Sequence, residues 1–401
     1  MATSIPEDIE EDSDQDGTIS EFGNETNVSG TQKSSTVHNG SVSSTNEVKP
    51  DRYGFLGGKQ YTQPELAHTI PAEIQRRREL KWLSMFYNWE KYMTKKYRKV
   101  ENRFNLVRDR CRKGIPPSVR GRAWQHLCGA TYLLDSNKHR FCELDSQPGD
   151  PRYVDEISKD LDRQFPFHEM FVNKEGHGQE DLFRVLKAYS ILNPRDGYCQ
   201  AQAPIAAVLL MHMPVEAAFW CLVSICDRYI PGYFSPGLEA IQLDGDILNG
   251  LLKRVSSSAY KQLKRQKVDP VMYMTEWFMC LFARTLPWGT VLRIWDIFFC
   301  EGVKTIFRVA LVLLRSILTP DTIKKCPSMY ETLEYLKNIH PYVTEPDLLI
   351  ELCLKLPVAE YDLEKEHQKQ VTKRRALRIQ QQSLSNGTKT SKSKKTRSKS
   401  S

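Results

Sequence analysis

Two short strings carry the side chains that could do chemistry. In ISKDLDRQFP (Ile157 to Pro166), Ile157, Asp160 and Arg163 recur every three residues, so a helix would line them along one side. Ile157 anchors that side, and Asp160 can hold the Arg163 guanidinium by charge-assisted hydrogen bonds. Arg163 stands just before Pro166, at the helix end, where its side chain can project past the surface. In NPRDGYCQAQAP (Asn193 to Pro204), the turn formers Asn193-Pro194 and Asp196-Gly197 precede Tyr198 and Gln200. A glutamine offered from such a loop can orient a water or a phosphate oxygen. Spacing alone leaves plainer readings open: an ordinary Asp–Arg pair within a helix, and a polar loop residue.

Other chemistries lack their residues. The chain has no GxxxxGK[ST] phosphate loop, no GxSxG elbow and no HExxH zinc helix. His168, His177 and His212 are scattered, and the ten cysteines form neither CxxC units nor a Cys/His ligand set. No self-contained hydrolytic triad is visible. Any catalysis would have to complete a site on a partner.

The elements that position these strings read as helices. Between about Lys113 and Pro357, helical periods alternate with stops such as Pro194, Pro214, Pro231, Pro270 and Pro287, and strand-like alternation is almost absent. An all-α domain of helices packed ridge into groove is expected. Upstream, Leu80, Leu83, Phe86 and Tyr87, with Trp82, Trp89 and Met93, predict an amphipathic helix from about Glu73 whose stripe faces the core. DRYGFLGG (Asp51 to Gly58) reads equally as a docking segment or as a linker. KGIPPSVRGRAW (Lys113 to Trp124) starts a helix after the Gly114-Ile115-Pro116 turn, with Arg120 and Trp124 on one face.

The ends differ in composition. Residues 1–50 are polar, with Glu7, Asp8, Glu10, Glu11, Asp12, Asp14 and Asp16, and read as a disordered acidic tail. Residues 363–401 read as a basic, mostly disordered tail, in which KRRALRIQQQ (Lys373 to Gln382) can extend a charged helix. The formal net charge of +8 is therefore largely a property of one end and does not argue for nucleic-acid binding. The tail also lacks interleaved aromatics, so no nucleic-acid partner is expected. The acidic start has no apolar segment for export, and the stretch Ala203 to Leu210 is too short to span a bilayer. With unpaired cysteines, a cytoplasmic protein is expected.

Taken in order, the strings resemble the TBC domain of Rab GTPase-activating proteins. KGIPPSVRGRAW is similar to that family's opening signature. Ile157, Asp160 and Arg163 match its IxxDxxR motif, Tyr198 and Gln200 its YxQ motif, and RIWDIFFCEG (Arg293 to Gly302) a later string. RYGFLGG, RELKWLSMFYNWEKYM (Arg78 to Met93), IQLDGDIL and YMTEWFMCLFARTLPW resemble the branch that includes the microvillar TBC proteins and Whacked. Ala201 and Gln202 stand where most of the wider family has Gly-Met, a departure that branch shares.

The resemblance implies one TBC domain with its core at 110–325, preceded by a linker and packing helix at 51–109 and followed by helices at 326–362. It implies a GTPase activator with no hydrolase activity of its own. Arg163 would be an arginine finger and Gln200 a glutamine finger, supported by Ile157, Asp160 and Tyr198. The partner would be a Rab-family small GTPase in its GTP state, carrying GTP and magnesium, so no cofactor of the chain's own is expected. The activity would serve vesicle trafficking. The basic tail itself reads equally as a solvated, solubilising tail or as a peripheral contact with anionic plasma, endosomal or vesicle membrane. A non-catalytic scaffold that binds active Rab is the alternative.

Overall fold

Capping chemistry sets the helix ends. Pro117, Pro151, Pro320 and Pro346 open helices at a position where the missing N–H costs nothing. Asp150, Ser256, Thr319 and Ser328 cap helices through side-chain oxygens. Gly129 closes the helix Pro117–Cys128 in a left-handed conformation. A computed structural model describes residues 49–57, 70–93, 100–174 and 176–397, with backbone only for 100–102 and 381–397. Residues 1–48, most of the expected acidic tail, lie outside the described residues. Among those described, the regular elements are helical except for an isolated antiparallel bridge between Phe55 and His168.

The middle of the domain is the helix Gln202–Leu210, buried at every position. A helix apolar all round needs neighbours on all sides. His177–Leu192, Val215–Ser224 and Pro151–Leu161 pack against it. Trp288–Glu301 and Lys304–Ile317 extend the core, where Trp124, Trp295 and Phe299 meet with ring centroids 5.2–5.9 Å apart.

The first helix departs from the expected face. Ala72–Tyr87 buries Trp82, Met85 and Phe86, whereas Leu80, Leu83 and Tyr87 are 54%, 45% and 85% exposed. Two stripes of helical spacing run along this segment, and the position of Pro117–Cys128 selects the aromatic one. Phe86 stacks on His126 at 5.1 Å, and the Arg122 guanidinium covers Phe86 at 4.7 Å.

The helix Glu360–Arg397 runs through residue 363 and docks on Glu239–Val255. Arg254 pairs with Asp362 at 2.7 Å, Arg374 with Asp246 at 2.7 Å and Arg378 with Glu239 at 2.7 Å. Glu366 and Gln370 are buried in the contact. The basic run is thus partly neutralised by acids of the neighbouring helix, a complementarity that composition counted segment by segment does not reveal. All described residues belong to the compact unit Val48–Ser401. Among them, no helix is long and apolar enough to cross a membrane.

Candidate functional site

The helix Pro151–Leu161 begins at Asp150, whose carboxylate accepts the Arg152 N–H at 2.9 Å. Ile157 is fully buried and fixes the helix on its neighbours, an anchor of about 1.5–3 kcal/mol. Asp160 lies in the last turn. A carboxylate there faces the negative end of the helix dipole and needs compensation. It has two donors. Arg163 Nη2 donates to Oδ1 at 2.5 Å, and Tyr198 Oη donates to Oδ2 at 2.6 Å. Gln164, itself buried, donates to the Asp160 carbonyl at 3.0 Å. Arg163 sits in the turn beyond the helix with its side chain 45% exposed.

The second loop is shaped by Asn193, whose Oδ1 accepts the Asp196 N–H at 3.3 Å, and by Ser235, which donates to Asp196 at 2.6 Å. Gly197 has φ +60°, and a Cβ there would lie 2.1 Å from the Tyr153 ring. Glycine thus lets this loop close onto the helix that carries Asp160. Tyr198 follows, 6% exposed, and burial together with the Asp160 bond pushes its phenol above the ordinary range. It remains a neutral donor. Gln200 is exposed in the turn that enters Gln202–Leu210.

One carboxylate therefore joins the two loops: Asp160, Arg163 and Tyr198 meet there, Ile157 anchors the helix, and Gln200 lies two residues beyond Tyr198. Spacing did not indicate Gln202. Its buried Oε1 accepts the Cys199 N–H at 3.0 Å and so fixes the backbone next to Gln200. Its place two residues beyond Gln200 was the available signal.

The remaining two strings build a separate cluster. Asp296 of RIWDIFFCEG is fully buried. It accepts the Ile115 N–H at 2.7 Å, Arg120 Nε at 3.2 Å and Trp124 Nε1 at 2.9 Å. Burial pushes its carboxyl pKa up, and these donors oppose that shift. Gly121 allows the turn after Gln202–Leu210 to approach, since a Cβ would stand 2.1 Å from the His212 carbonyl oxygen. These residues hold the frame: they join Lys113–Trp124 to Trp288–Glu301.

Residues 117–321 match the family model described as the Rab-GTPase-TBC domain. The chain belongs to this family. It is 47% identical to the Drosophila melanogaster TBC1 domain family member whacked over 348 residues, covering 86% of this chain and 94% of that protein. Human TBC1 domain family member 10B is 54% identical over 358 residues, 88% of this chain but 43% of that longer protein. The TBC fold is also that of the crystal structure of the Chlamydomonas flagellar RabGAP TBC domain. That structure matches with a TM-score of 0.57 and 24% identity, over 77% of this chain and all of the other. In this TBC domain the family model covers both site loops, whereas Asp51–Gly57 lies outside it.

Proposed function

We propose that this TBC protein accelerates GTP hydrolysis on a Rab-family small GTPase, with Arg163 and Gln200 acting in trans on GTP and magnesium carried by the partner. The observation that carries the reading is the single carboxylate, Asp160, that ties both loops together from opposite oxygens. Phosphoryl transfer spreads negative charge over the equatorial oxygens, and catalysis consists chiefly of positioning and charge stabilisation. The bond to Asp160 uses one terminal nitrogen of Arg163 and leaves other N–H donors of the guanidinium for a phosphoryl group. The side chain is part exposed before docking. Water leaves when the GTPase covers it, and each charge interaction there strengthens. An arginine supplied in trans contributes about 10³ to 10⁵ in rate, or about 4–7 kcal/mol. Gln200 orients the attacking water, and Tyr198 and Gln202 hold the loop that presents it.

The substrate sits on a membrane, and the basic end of the helix Glu360–Arg397 is the part of this chain suited to an anionic cytoplasmic surface. The chain truncated after Gln380 should keep its fold and lose co-sedimentation with phosphatidylserine vesicles; unchanged co-sedimentation removes the tail as an anchor.

Purified Rabs assayed as a panel, for binding and for hydrolysis at substoichiometric amounts of this protein, test the central reading. One or a few Rabs turning over many times supports a catalytic activator. GTP-dependent binding without turnover supports a scaffold instead.

A further inference from the structure

The family-matched residues begin at Pro117, yet a segment more than sixty residues upstream grips the chain next to Arg163. Asp51 closes a small turn: its Oδ1 accepts the N–H groups of Tyr53 at 2.8 Å and Phe55 at 2.9 Å, and its own N–H donates to the Phe55 carbonyl at 2.8 Å. The turn pairs with the stretch that follows Arg163. Leu56 N–H donates to the Phe167 carbonyl at 2.7 Å, and Glu169 N–H donates to the Gly54 carbonyl at 2.8 Å. Gly54 has φ +91°, and a Cβ would meet His168 Nε2 at 2.6 Å, so the close approach needs glycine.

His168 completes the clamp. Its Nε2 donates to the Tyr53 carbonyl at 3.0 Å while Nδ1 accepts the Met170 N–H at 3.2 Å, which requires the neutral Nε2–H tautomer. Burial lowers its pKa and favours that form. Phe55, 2% exposed, sets its ring 5.0 Å from His168, 5.2 Å from Trp288 and 6.4 Å from Phe165. Phe165, two residues after Arg163, is held at φ +44°, a conformation a non-glycine residue keeps only when its surroundings impose it. The stretch after Arg163 is thus fastened upstream by Gln164 on Asp160, downstream by Gln179 on the Phe171 carbonyl at 3.0 Å, and in its middle by Asp51–Gly57.

We infer that Asp51, Phe55 and His168 are positioning residues for Arg163: the upstream segment fixes the backbone beyond the finger, so the guanidinium is aimed before the GTPase docks. The inference rests on the finger reading. Pre-organisation of this kind acts on the transition state more than on ground-state binding. It therefore makes a prediction that a merely structural role does not.

The test uses the full chain and a responsive Rab in two forms. One is loaded with a non-hydrolysable GTP analogue, the other with GDP and aluminium fluoride, a stand-in for the transferring phosphoryl group. Asp51→Ala and Phe55→Ala should bind the first form within about twofold of wild type, yet bind the second at least about tenfold more weakly and slow single-turnover hydrolysis in parallel. Asp51→Asn keeps the accepting oxygen and should restore both. Equal weakening of the two forms, or wild-type rates in folded variants, overturns the positioning role. If Phe55→Ala does not unfold cooperatively on heating, the Asp51→Ala and Asp51→Asn pair decides. Arg163→Ala, run alongside, separates the two claims. Wild-type rates there defeat the finger reading itself, whereas a loss there with none in Phe55→Ala defeats only the positioning role.

Discussion

Asp160 shows how much one side chain settles at the residue scale. It is 9% exposed, accepts from a guanidinium and a phenol, and lies where the helix dipole disfavours it. Removing the phenol hydroxyl deprives the carboxylate of one donor without opening a large cavity. Tyr198→Phe should therefore cost about 1–2 kcal/mol in urea unfolding and slow GTP hydrolysis severalfold. Unaltered stability and rate would show the Tyr198–Asp160 bond to be idle. Charge alone does not explain Arg163 either. Lysine keeps the charge but not the planar fork, so Arg163→Lys should lower single-turnover hydrolysis by about tenfold or more. Near-normal hydrolysis in that variant takes Arg163 out of the chemistry.

Two glycines separate framework from site at the scale of elements. Gly121 lets Pro117–Cys128 approach the His212 carbonyl. Gly197 lets the Gln200 loop close on Tyr153. Gly121→Ala should destabilise by about 2 kcal/mol or more while the folded fraction keeps its rate. Gly197→Ala combines a positive φ with a clash and should lose rate out of proportion to stability, read from hydrolysis and melting of the same samples. If both variants behave alike, the division between framework and site fails. The Asp160–Arg163 contact was legible in the sequence because it is local to one helix turn, whereas Gln200 was singled out by a family motif and not by a contact. Gln202 escaped because its value lies in a buried backbone contact, invisible to spacing. Asp296 sat inside a recognised string, but its role depends on donors 172 to 181 residues away in sequence. The face of Ala72–Tyr87 was ambiguous because Leu80 and Leu83 satisfy the same period as Trp82 and Phe86. The docking of Glu360–Arg397 depends on acids far upstream, which a composition shift at residue 363 does not reveal.

For the whole molecule, half-buried histidines tie stability to pH. Burial lowers His126 to about 4 and His212 to about 3, from the ordinary value of 6.5. The unfolded chain takes up these protons as pH falls below about 6.5, whereas the folded chain stays neutral there. Their contribution is therefore complete above that pH and is lost on acidification. For His212 alone the loss amounts to about 2 kcal/mol by about pH 5. Asp244 works in the opposite direction, because burial raises its pKa to about 6 and acidification then favours the folded chain. The histidine effect is best isolated by difference. His212→Leu should lose about 2 kcal/mol less than wild type in urea unfolding between about pH 7.5 and pH 5. Parallel losses would place the pH sensitivity elsewhere.

The central claim is that two side chains from loops joined by one carboxylate complete a site on a GTPase. Single-turnover GTP hydrolysis on a responsive Rab, with saturating wild type, Arg163→Ala, Gln200→Ala and the double variant, tests it most directly. Either single variant should lose about 10² or more of the acceleration, and the double variant should return the GTPase to its unassisted rate. Wild-type acceleration by Arg163→Ala or by Gln200→Ala, in protein that still binds the GTP-loaded Rab, would contradict it.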